Sequence, residues 1–121
     1  VPSHVEWEIE FTPGVEAWWS ELTDREQERI GAVIDLLERH GPALGFPYSS
    51  AVITSRHPGM RELRAQHAGR PYRILYAFDP RRVGILLVGG EKSGDDRWYE
   101  RTVPVADRLY QAHLTTLIRK P

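Results

Sequence analysis

Cysteine is absent from this chain of 121 residues, and methionine occurs only once. Without cysteine there is no disulfide scaffold, no thiolate zinc site and no cysteine nucleophile. The absence fits a reducing cytoplasm, which is the expected compartment. No apolar run approaches the roughly 20 residues that span a bilayer, so no membrane partner is expected. A basic start followed by an apolar stretch is also missing, so no secretory signal is visible. Val1 in place of an initiator methionine points to a trimmed chain or an alternative start codon. Net charge is scarce as well, at −1, which excludes attraction of the whole molecule to a polyanion. No repeat, linker or low-complexity segment divides the chain, and its length fits a single domain over residues 1–121.

What charge there is lies unevenly. Residues 1–40 hold three arginines against ten carboxylates, whereas residues 41–121 hold thirteen basic residues against seven acids. Such asymmetry points to a polyanion-binding face in the second part. Its densest stretch runs from Arg56 to Arg73, with five arginines and one carboxylate. A planar guanidinium donates paired hydrogen bonds to phosphate, so RNA is the first suspect. The competing reading is a set of solvated edge-strand charges that discourage aggregation.

Hydrophobic periodicity supplies the scaffold. Val5, Trp7, Ile9 and Phe11 alternate with glutamates, as in a half-buried strand. Thr12-Pro13 then opens a short helix. Thr23-Asp24-Arg25-Glu26 is a capping box ahead of an apolar stripe at Ile30, Val33, Ile34 and Leu37, and Gly41-Pro42 stops that helix. Residues 42–58 read as an irregular connection with a short strand at 51–53. Strands follow over 60–65, 71–78 and 83–88. The first two are joined at His67-Ala68-Gly69, and the last two by a turn at Asp79-Pro80. After a Gly-rich segment, Pro104 is expected to open a final helix. The order β-α-α-β-β-β-α predicts an α+β fold, with a helical hairpin on one face of a mostly antiparallel sheet and the other face open.

Alternation puts Arg61 and Leu63 on one side of their strand and Glu62 and Arg64 on the other. Arg73 shares a side with Leu75 and Ala77, so Arg64 and Arg73 can meet across the pair. The segment from Gly89 to Tyr99 brings Lys92, Arg97 and a phenol beside the sheet. It is not a P-loop, since no Gly-Lys-Ser/Thr opens a helix at the required spacing. Asp95-Asp96 reads as a turn or cap rather than a metal pair, and Trp98 reads as core. No histidine has the i, i+4 partner of a helical zinc site, so no metal is expected. His113 reads as a satisfied core histidine. No Gly-x-Ser-x-Gly elbow supports a serine nucleophile.

Several ordered segments resemble the RelE/HigB superfamily of toxin–antitoxin RNases, in its phage-derived HigB-like branch. They are Met60-Arg61-Glu62-Leu63-Arg64, Arg70-Pro71-Tyr72-Arg73-Ile74-Leu75-Tyr76-Ala77-Phe78-Asp79, Leu86-Leu87-Val88-Gly89-Gly90-Glu91-Lys92, Arg97-Trp98-Tyr99-Glu100 and Ala106-Asp107-Arg108-Leu109-Tyr110. The resemblance implies a RelE-like fold and a ribosome-dependent mRNA endoribonuclease without cofactor, silenced by a cognate antitoxin of helix-turn-helix type. Carried over by position, Arg64, Arg73, Lys92 and Tyr99 are the catalytic candidates. Arg56, Arg61, His67, Arg70 and Arg97 are the RNA-binding candidates. Arginine cannot act as a base at neutral pH. Proton transfer therefore falls to Tyr99 or Lys92, either of which needs a depressed pKa to be a base, or to His67. Glu62 departs from the pattern, standing where RelE carries a basic residue. Two other readings remain: a non-catalytic toxin-fold module that binds a partner, and a ParE-like inhibitor of DNA gyrase.

Overall fold

Helix signals are realised in the computed structural model, which describes residues 6–119. Thr12 caps α1 (Pro13–Ser20), accepting from the Val15 N–H at 3.3 Å. Thr23 caps α2 (Asp24–His40) through a reciprocal capping box. The Glu26 N–H donates to the Thr23 hydroxyl at 3.2 Å, and the Thr23 N–H donates to the Glu26 carboxylate at 2.8 Å. The stripe at Ile30, Val33, Ile34 and Leu37 is buried as its spacing requires. Gly41 ends the helix at φ 56°, where a Cβ would lie 2.4 Å from the Trp7 ring. Val5, read as the first strand residue, lies outside the described residues.

Five strands form one sheet in the order β1-β5-β4-β3-β2: β1 (Ile9–Phe11), β2 (Ser49–Ala51), β3 (Arg61–His67), β4 (Arg70–Phe78) and β5 (Gly84–Glu91). β1 pairs with β5 in parallel and every other pair is antiparallel. β3 and β4 turn through Ala68 and Gly69, both at positive φ, as a two-residue hairpin requires. β4 and β5 turn at Asp79, whose carbonyl accepts from the Arg82 N–H at 2.8 Å. The short strand expected at 51–53 is instead Ser49–Ala51, and it pairs with Arg61–Leu63.

Both faces of the sheet carry helices. Tyr72, Ile74, Tyr76, Leu63 and Leu86 meet α1 and α2 on one face. Leu75, Ala77, Ile85 and Leu87 meet Trp98, Val103, Ala106 and Tyr110 of α3 (Trp98–Arg119) on the other. The expected open face is therefore covered, because its apolar strand residues demand it. α3 packs on β4 and β5 and leaves the β3 end of that face to Glu62, Arg64 and Arg73.

Two boundaries differ from expectation for packing reasons. β5 does not end at Val88 but runs through the glycines to Glu91, paired with β4. A Cβ on Gly89 would lie 2.4 Å from the Trp18 ring, and one on Gly90 2.8 Å from Trp98 Nε1. These glycines are strand positions hemmed in by tryptophans, not a loop. α3 starts at Trp98, so Pro104 lies inside it instead of opening it. Proline there removes one bond to the carbonyl four residues back. That carbonyl belongs to Glu100, an exposed residue like Pro104 itself. No described helix is long and apolar enough to cross a membrane.

Candidate active site

The β3–β4 register sets Arg64 directly opposite Arg73. Two guanidiniums side by side repel, so this pair needs a counter-charge. Glu62 supplies it from one pleat away on the same face. Arg64 Nη1 lies 3.2 Å from Glu62 Oε2, and Arg73 Nε lies 3.5 Å from Oε1. The Tyr99 hydroxyl donates to Oε1 at 2.6 Å, and the Ser50 hydroxyl donates to Oε2 at 2.6 Å. Glu62 and Arg73 are only 6% and 8% exposed. Four elements thus deliver side chains to one buried carboxylate.

Arg73 is held loosely for a buried cation. One Nη donates to the Tyr72 carbonyl at 3.0 Å, but Nε makes no hydrogen bond, only the longer contact with Glu62. Tyr99 is pushed above its ordinary value of 10.0 by burial and by its bond to Glu62, with Arg73 opposing. This is opposite to the depression that a basic tyrosine requires, so Tyr99 is a protonated donor rather than a base. Lys92 Nζ stands 5.7 Å from the Tyr99 ring centroid, within cation–π range. Beside them lies a cavity of about 470 Å³ lined by Lys92, Tyr99, Pro71 and Asp95.

The structure therefore brings Arg64, Arg73, Lys92 and Tyr99 together. Arg61 projects to the opposite face, where its Nε donates to the Ser49 hydroxyl at 3.0 Å. Arg70 is exposed and pairs with Glu91 at 3.6 Å, while His67 lies across the hairpin from it. Arg97 is exposed and 3.9 Å from Glu100. Arg56 lies before β3, where its N–H donates to Asp107 Oδ2 at 3.1 Å. Asp95 accepts from the Arg97 N–H at 3.1 Å and pairs with Arg101, so it serves the start of α3. His113 is satisfied by Asp79 at 2.8 Å. Among the described residues, no group of three or more His, Asp or Glu is arranged to hold a metal.

Sequence reasoning missed Glu62 and Ser50 as members of the site. The available signal was the alternation itself: a lone acid on the face where two arginines meet must sit between them.

Residues 17–111 match the family described as "Phage derived protein Gp49-like (DUF891)". The chain belongs to the Gp49-like family. It is 45% identical over 97 residues to "Putative toxin HigB3" of Mycobacterium tuberculosis, covering 79% of this chain and 83% of that protein. It is 42% identical over 102 residues to "Putative toxin HigB2" of the same organism, covering 83% of this chain. The match spans only 51% of that second relative. The resemblance to the RelE/HigB superfamily is thus borne out, and this Gp49-like chain has the corresponding mostly antiparallel α+β fold.

Proposed function

We propose that this protein is the toxin of a type II toxin–antitoxin pair. It is a metal-independent endoribonuclease that cuts mRNA on the translating ribosome in the cytoplasm. The names of its relatives support the toxin role. The observation that carries the chemistry is the convergence of two arginines and a phenol on the Glu62 carboxylate. A 2′-hydroxyl attacking the adjacent phosphate needs a proton acceptor, cations around the developing charge and a donor for the departing oxygen. Glu62 takes the 2′-hydroxyl proton. Arg64 and Arg73 hold the non-bridging oxygens. The O2′–P bond forms as the P–O5′ bond breaks, and Tyr99 gives its proton to the leaving O5′, with Lys92 steadying the phenolate. Glu62 then reprotonates Tyr99 along the hydrogen bond that already joins them. The products are a 2′,3′-cyclic phosphate and a free 5′-hydroxyl. Arg56, His67, Arg70 and Arg97 guide the flanking strand, and Arg61, across the sheet, is left out of this role. A cognate antitoxin of helix-turn-helix type silences the enzyme.

Induced expression should arrest growth and produce cuts inside translated transcripts, mapped by primer extension. Tyr99→Phe and Glu62→Gln should each lower cleavage about 10²- to 10⁴-fold, measured on protein shown to be folded by circular dichroism. Undiminished cleavage by Tyr99→Phe would remove the proposed chemistry. One observation favours a second reading, a non-catalytic binding module: Glu62 is already saturated by internal partners. Salt-sensitive RNA binding without products would support that reading.

A further inference from the structure

A second cavity, of about 520 Å³, shares Arg64 and Arg73 with the Glu62 cluster but is not lined by Glu62, Lys92 or Tyr99. It opens between α2 and the outer edge of β3, because β2 pairs only with Arg61–Leu63 and stops short of the later β3 residues. Arg29 reaches it from α2, so three arginines line it, and no carboxylate does. Glu62, behind the wall, is shared between Arg64 and Arg73, so three guanidiniums set against one carboxylate leave a local excess of cation in a chain whose net charge is −1. Tyr48 forms part of the wall. It is 45% exposed, and its carbonyl accepts from the Arg64 N–H at 2.9 Å. Phe46, next in sequence to the wall residue Pro47, is 76% exposed, with the Arg64 guanidinium 5.4 Å from its ring centroid. Gln66 adds an amide that can both donate and accept.

Cations for phosphate, aromatic faces for a base and an amide for its edge are what recognition of single-stranded RNA uses. The volume lies within the range of small-ligand sites. We propose that this groove holds the nucleotide next to the scissile phosphate. Its phosphate rests on Arg29 and Arg64, its base stacks on Tyr48 and Phe46, and Gln66 meets the base edge. The assignment rests on the proposed ribonuclease function and extends it to substrate recognition, with Arg64 as the residue common to both subsites.

The test is binding of a short unstructured RNA carrying 2-aminopurine, at low ionic strength, monitored by fluorescence and by salt titration. Wild-type protein should quench the 2-aminopurine as the base stacks. Phe46→Ala/Tyr48→Ala should bind about 5- to 100-fold more weakly, lose the quenching and keep the same salt slope. Phe46→Trp/Tyr48→Phe should restore both. Arg29→Ala should reduce the slope of log affinity against log salt by about 0.7, the value of one phosphate contact on a single strand. Arg25→Ala, which removes the same charge elsewhere on α2, should not. If Phe46→Ala/Tyr48→Ala binds and quenches like wild type while Arg64→Ala/Arg73→Ala loses RNA, the groove is overturned and the active-site reading stands. If Phe46→Ala/Tyr48→Ala loses only antitoxin binding, the groove belongs to a protein partner and the proposal is likewise overturned. If wild-type protein neither binds the RNA nor quenches the 2-aminopurine, the groove is overturned, while the ribonuclease reading is judged separately by the cuts in translated transcripts.

Discussion

The β3–β4 and β4–β5 hairpins each bury one carboxylate, and the two are satisfied in opposite ways. Asp79 is served largely by its own turn. Its oxygens accept from the Arg81 and Val83 N–H groups at 2.8 and 3.2 Å and from the Arg81 guanidinium at 2.8 Å, with His113 of α3 added at 2.8 Å. Glu62 receives no backbone donor among these contacts; every partner is a side chain, drawn from β2, β3, β4 and α3. A carboxylate fixed by the backbone of a tight turn anchors structure. One surrounded by side chains from separate elements can exchange those partners for a substrate, which suits a site.

The contrast predicts unequal costs of neutralisation. Glu62→Gln strips the counter-charge from Arg73, which is buried and cannot return to water. The expected loss is about 3 kcal/mol in urea unfolding, largely recovered in Glu62→Gln/Arg73→Met. Asp79→Asn frees Arg81, which is exposed, and keeps an oxygen for the turn, so its cost should be about 1–2 kcal/mol. Equal costs would break the comparison.

The turns themselves differ. Ala68 is held at φ 53°, and replacing it with glycine should raise stability by about 1 kcal/mol. Arg82, at φ 67°, should gain less from the same change, because its guanidinium lies over Trp7 at 5.0 Å. Paired thermal melts of the two variants would reveal the difference.

The Asp79 hairpin should be sensitive to acid. Burial pushes the Asp79 carboxyl up, but His113, Arg81 and the turn N–H groups outweigh it and hold the group below its ordinary 3.8. A carboxyl depressed by folding contributes fully above its unfolded value and loses that contribution as pH falls through the folded one. Urea midpoints should therefore drop below about pH 4, and Asp79→Asn should show a shallower acid limb. The smallest effects are in the phenols. Tyr99 is raised by burial and Glu62, Tyr110 by burial and Asp79. NMR titration should find Tyr99 lowered only in Glu62→Gln and Tyr110 lowered only in Asp79→Asn.

Much of the molecule was legible in residue order. The capping box at Thr23, the stripe of α2 and the meeting of Arg64 with Arg73 come from local chemistry and a period of two, and all occur. The features that escaped depend on distant neighbours. Pro104 resembles a helix start because, although Trp98 reads as core, nothing local reveals that it and Val103 pack on the sheet as one helix and extend α3 backwards. Glu62 resembles an interruption in a basic stretch until Tyr99 and Ser50 are seen to reach it from two other elements. The tyrosine's raised pKa is equally unreadable, since burial is its first cause.

The glycine pair at the end of β5 gains meaning from the order of two aromatic residues in α3. Gly90 lies directly under the Trp98 indole and beside Arg73 in the sheet, while Gly89 lies under Trp18 on the reverse face. Tyr99 is the next residue after Trp98. The missing side chain at Gly90 thus sets how low α3 sits, and with it whether the phenol of the next residue reaches the Glu62 carboxylate. A bare patch of backbone, with no chemistry of its own, acts as the depth stop of the site.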